Sequence, residues 1–140
     1  MNNKIFLDAK NVVMGRLASY VAKKAMEGYE VFILNTEHAI MSGTKEYYLK
    51  RFQQRIDRGT PTSGPFYPKT VIGIAKRITR GMIPYKTASG TSAFKRVKFY
   101  EGIPTEFENV ELKKGLKTKD EYKHNKYITI KELSHSIGGY

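Results

Sequence analysis

The chain has 140 residues, 25 Lys and Arg against 13 Asp and Glu for a formal charge of +12, 40% hydrophobic residues and no cysteine. That is enough apolar material for one core and one domain, 1–140, and it excludes wholesale disorder, a disulfide framework, thiolate metal sites and a cysteine nucleophile. No apolar run nears the roughly 18 to 20 residues that cross a bilayer. The N-terminus meets Asp8 after three apolar residues, a pattern unlike a signal peptide, so the expected compartment is the cytoplasm.

Lys4–Ala9 reads as a short buried strand, and Met14–Glu27 as a helix with Leu17, Val21 and Ala25 at helical spacing and Gly28 as its stop. Glu30–Leu34 is a second buried strand. Strand, helix and strand within about 30 residues make a βαβ unit with parallel strands. A second helix is expected over Thr44–Asp57, with Ser42 or Thr44 as N-cap and Gly59 beyond its end. Tyr48, Leu49, Phe52 and Ile56 form its apolar arc, opposite Lys50, Arg51, Arg55 and Arg58. Lys69–Met82 repeats the arrangement, with Val71, Ile74, Ala75, Ile78 and Met82 opposite Lys76, Arg77 and Arg80.

Between these helices the segment 58–69 holds three prolines and two glycines and no helical or strand period. It lacks a core of its own and is expected to be mobile until a partner orders it. Gly81–Gly90 reads as turn-rich, Thr91–Lys95 as a short helix and Val97–Tyr100 as a strand. Glu106–Lys126 reads as a solvated connection, followed by a last strand at Tyr127–Ile130 and a short C-terminal helix. There is no internal repeat.

The charge is segregated. Residues 1–44 sum to +1, residues 45–100 to +11 and residues 101–140 to zero. So concentrated a block repels itself unless a polyanion neutralises it. A peripheral membrane protein would need its apolar stripes for lipid, whereas here both helices need them for the core. Two basic faces, the aromatics Phe66, Tyr67 and Tyr85 among the charges, and an extended Gly/Pro segment favour RNA, with DNA second.

Enzyme readings find little support. His38, His124 and His135 lack metal-ligand spacing, and Ser89 and Ser92 sit in no G-x-S-x-G context. The turn Asp8–Arg16 joins a strand to a helix but has one glycine, where a phosphate-cradling loop needs several. Gly15 is read as permitting close packing or a special dihedral, and Arg16 as a surface charge within reach of an RNA phosphate.

Ordered stations along the chain resemble the universal large-subunit ribosomal protein family L-thirteen in its archaeal form. Asp8-Ala9 with Gly15-Arg16-Leu17-Ala18-Ser19, and Ile40-Met41-Ser42-Gly43, look like the family's opening segment and its I-x-S-G turn. Gly64-Pro65-Phe66, Thr79–Thr87 and Arg96–Pro104 match three further stations in order and spacing. Tyr85 stands where the family often has His, and Ile83 where it has Leu. The resemblance implies an α/β fold with three α/β/α layers around a small, mostly parallel four-stranded sheet, extended by basic loops and helices. It also implies a non-catalytic structural protein of the ribosome, partnered by large-subunit rRNA and neighbouring ribosomal proteins, with no cofactor, metal, membrane or small-molecule substrate. The residues expected on RNA are Arg16, Lys50, Arg51, Arg55, Arg58, Phe66, Tyr67, Lys69, Lys76, Arg77, Arg80, Tyr85, Lys86, Lys95, Arg96 and Lys98. A free-standing nucleic-acid-binding protein is the alternative, and a phosphate-handling α/β enzyme comes third.

Overall fold

The computed structural model describes residues 3–60, 62–110, 112 and 126–138. Strands β1 (Lys4–Asp8) and β2 (Glu30–Leu34) run parallel with Ile5 opposite Val31 and Leu7 opposite Ile33. Helix α1 (Met14–Met26) connects them. Strand β4 (Val97–Phe99) lies parallel on the other side of β2, pairing Val31 with Val97 and Ile33 with Phe99. Flanked on both sides, β2 has an unbroken buried run, Val31–Leu34, as central parallel strands do.

The remaining strands form a separate antiparallel pair, β3 (Ile40–Ser42) with β5 (Tyr127–Thr129). This corrects the expected single sheet of four. A three-residue strand such as β3 carries no legible period, and the C-terminal strand pairs with it rather than joining the main sheet. The pair is tied to its surroundings by Ile40 N–H donating to Val12 O (2.9 Å) and Ile130 N–H to Ala39 O (2.9 Å).

Among the described residues, five helices pack around this frame. Besides α1 they are α2 (Lys45–Asp57), α3 (Val71–Arg80), α4 (Ala88–Lys95) and α5 (Ile130–Ser136). Threonine begins four of them: the hydroxyls of Thr44, Thr70, Thr87 and Thr129 accept from the amides of Tyr47, Gly73, Gly90 and Glu132, satisfying donors that the first helical turn leaves without partners. α1 ends at Gly28 (φ +104°), where Tyr29 N–H reaches Lys24 O and Gly28 N–H reaches Ala25 O, both at 3.1 Å. This is the Schellman closure that a left-handed glycine permits. The Ile5, Leu7, Val31, Ile33, Val97 and Phe99 face of the sheet meets the apolar residues of all five helices in one core. α2 contributes a single buried side chain, Phe52, and so lies at the rim with its polar face outward.

The opposite face of the sheet carries rings. Phe6 stacks on Phe32 at 4.9 Å, and Phe107 lies 5.2, 5.3 and 5.5 Å from Phe6, Phe32 and Tyr100. The ammonium groups of Lys4 and Lys98 stand 5.9 and 5.7 Å from the Phe32 centroid. Among the described residues, the layer on this face is supplied by the 3-10 turn Thr105–Phe107. The rest of the expected connection Glu106–Lys126 lies largely outside the described residues, as does His124.

Smaller expectations also change. α3 starts after Lys69 and stops at Arg80, so Met82 leaves the apolar stripe and is 43% exposed, while Ile83 takes a buried position. α4 begins earlier than expected because Thr87 caps it. Gly73 is tolerated inside α3 for a packing reason, since a Cβ there would lie 2.7 Å from Pro68 Cβ and 2.8 Å from Thr70 Oγ1. Gly15 has neither of the reasons expected of it: a Cβ would meet nothing within 4 Å, and the left-handed residue of that turn is Asn11 (φ +63°).

Candidate nucleic-acid interface

The cationic face of α2 is shaped as well as charged. Tyr47, Lys50, Arg51, Gln54, Arg55 and Arg58 line an open cleft of about 430 Å³ along the helix. Their spacing of three, four and seven residues places them on one side of an α-helix. Arg51 Nη1 donates to Tyr47 Oη at 2.7 Å, and its guanidinium lies 5.9 Å from the Tyr47 ring centre.

The second group forms around Tyr67, at the end of the Gly/Pro segment. Its ring meets Phe52 edge-on at 5.5 Å, and its hydroxyl accepts from Arg55 Nη1 at 3.1 Å. The guanidinium carbons of Arg55 and Arg77 lie 5.6 and 5.1 Å from the ring centre, and Arg77 Nη2 donates to Phe66 O at 3.2 Å. Upstream, Thr60 and Gly64 exchange two backbone hydrogen bonds, and downstream Ser134 Oγ donates to Lys69 O at 2.5 Å. The segment has no core of its own, as expected, but its Tyr67 end packs against α2 and α3. Phe66 stays 68% exposed.

Arg80 lies over Tyr85, its guanidinium carbon 4.7 Å from the ring centre. A guanidinium over a ring uses its face and leaves edge N–H groups to meet phosphate oxygens in a fixed fork. Lys50, Arg51, Arg58, Lys69, Lys76, Lys86, Lys95 and Lys98 are exposed. Direct contacts unite Arg55, Phe66, Tyr67 and Arg77, whereas other expected RNA residues lie elsewhere. Arg16 is exposed in the first turn of α1, and Lys98 is on the outer face of the sheet. Arg96 Nη1 donates to Ala25 O at 2.7 Å, a cation at the negative end of α1.

Tyr47 and Gln54 were absent from the expected set. Their signal was present: at 100° per residue both fall inside the arc of Lys50, Arg51 and Arg58, whereas Tyr48 falls in the apolar arc. Tyr48 turns inward and donates to Ser42 O at 2.5 Å, and burial, with a smaller push from Tyr47, raises its pKa. Lys45 donates to Glu132 at 2.8 Å, and that hydrogen bond raises the lysine's pKa.

Among the described residues, no three of His, Asp and Glu stand close enough together to hold a metal ion. The Glu37 carboxylate accepts from Gly102 N–H, its two oxygens at 2.9 and 3.1 Å, and so fixes a turn. None of the described helices is long and apolar enough to cross a membrane.

Comparison with known proteins adds to this geometry. The family model "Ribosomal protein L13" matches residues 2–106. The large ribosomal subunit protein uL13 of Methanopyrus kandleri is 42% identical over 135 residues, covering 94% of this chain and 85% of the relative. Those of Thermoplasma acidophilum and Haloarcula marismortui are each 37% identical, covering 96% of this chain and 98% and 90% of the relatives.

Proposed function

The chain belongs to the ribosomal protein L13 family, and from that premise we propose that it is a non-catalytic structural component of the large ribosomal subunit that binds large-subunit rRNA. Its place is on the ribosome in the cytoplasm, beside neighbouring ribosomal proteins. The observation that carries the reading is the surface made by α2, α3 and the segment between them, where guanidinium groups are held by tyrosine rings at the outer rim of a neutral core. Phosphate neutralisation by Lys50, Arg51, Arg58, Lys76, Arg77 and Arg80 lets RNA segments that repel one another approach. The remaining expected residues contribute at the margins of this surface.

Binding is then governed by counterion release. If about six phosphates are neutralised, the logarithm of the rRNA binding constant falls with the logarithm of salt with a slope near −4 to −5. A slope shallower than about −2 would remove the electrostatic basis of the proposal. Co-sedimentation with large subunits through a high-salt wash separates a ribosomal component from a free-standing nucleic-acid-binding protein, which would wash off.

A further inference from the structure

We propose that the α2 cleft seats one unpaired nucleotide of the RNA, with its base stacked on Tyr47 and its flanking phosphates held by Lys50, Arg51 and Arg58. The inference rests on the rRNA-binding reading and goes beyond it, because a charged helix face needs only phosphates and would sit equally well on a duplex. Three observations favour an unpaired nucleotide.

The first is Tyr47 itself. It is 52% exposed and lies in the middle of a basic stripe. An aromatic ring there adds nothing to phosphate neutralisation, but it offers a flat apolar face to a base removed from its stack. Its orientation is set by two contacts, the Arg51 donation to its hydroxyl and an edge-on approach to Tyr48 at 5.1 Å. The second is Gln54, one helical turn beyond Arg51 in the same cleft. A neutral amide brings no charge to offset a phosphate, but its donor and acceptor match the edge of a base. The third is size: about 430 Å³ of open space is in the range of small-ligand sites and fits one extruded nucleotide, whereas a duplex backbone would only span its rim. Arg55, held back by Tyr67, forms a wall of the cleft and leaves the other cations to flank the base.

The test compares a short oligouridine with a blunt RNA duplex of equal phosphate count, using the full chain. Tyr47→Ala should weaken oligouridine binding about tenfold, within the range expected for one base–aromatic stack. Its affinity for the duplex should fall far less, and Tyr47→Phe, which keeps the ring but loses the Arg51 hydrogen bond that helps to orient it, should retain most of the oligouridine affinity. Tyr47→Leu, which keeps bulk on the helix surface without a stacking ring, should repeat the loss if Tyr47→Ala folds poorly. An equal small effect on both RNAs, or none on the single strand, overturns the proposal and leaves a cleft that tracks phosphates. The rRNA reading fails separately, if replacing Lys50 and Arg58 together by Ala leaves binding to large-subunit rRNA unchanged.

Discussion

Tyr67 shows what a single side chain has to be seen in place to reveal. In the sequence it is one of two aromatics in a Pro/Gly segment, available to stack on a base. In the structure its ring joins Phe52, Arg55 and Arg77, so that α2, α3 and the segment between them meet at one residue. Tyr67→Ala should cost about 2–3 kcal/mol of stability, since it removes a half-buried ring and two guanidinium contacts. Tyr67→Phe should cost about 1 kcal/mol, the worth of one hydrogen bond to a charged donor at a partly open site. Urea denaturation of the two variants checks both values, and a negligible loss for Tyr67→Ala would mean that the segment is not anchored there. The basic residues were legible because their charge is visible in the sequence. That Tyr67 gathers Arg55 and Arg77 was not, because those contacts join α2 and α3 to a position 12 residues after one and 10 before the other.

At the scale of elements, the long helices and the strands at both ends of the chain were readable, and β3 was not. α2 carries an apolar arc, a Thr cap and a glycine beyond its end, three signals that agree. β3 has three residues and no room for a pattern to repeat, so its pairing with β5 was invisible. The turn before α4 is a case in which packing decides. Gly90 lies in the first turn of α4, and a Cβ there would fall on the Pro84 carbonyl oxygen. That oxygen is also held by Thr87 Oγ1 at 2.8 Å and by Thr87 N–H at 3.0 Å, so the turn cannot yield cheaply. Gly90→Ala, a change that favours a helix by about 1 kcal/mol in isolation, should here destabilise the chain by about 2 kcal/mol or more through overpacking. Thermal melts decide the sign, and a raised midpoint would show that the turn gives way.

For the molecule as a whole, the division of labour was evident from charge alone: a neutral N-terminal scaffold, a +11 block and a neutral C-terminal part. The structure changes the standing of that last part. Ile128, Ile130, Leu133 and Ile137 are all buried in the common core, and at about 1.5–3 kcal/mol per buried aliphatic side chain they match the whole net stability of a typical domain. A chain ending before Tyr127 should therefore show no cooperative unfolding transition by circular dichroism. A sharp melt from that shortened chain would mean that residues 1–126 close a core unaided.

The antiparallel pair of β3 and β5 also sets an order of events during synthesis. Ile40 faces Thr129 across the ladder, so a segment that completes the core is made nearly ninety positions after its partner. The +11 block is complete at residue 100, and at roughly 5–20 residues per second the ribosome needs about two seconds or more to add the next forty. Through that interval the nascent chain is an open polycation without its closing strand. Closure of the core beside the basic block therefore waits until β5 and α5 have been made.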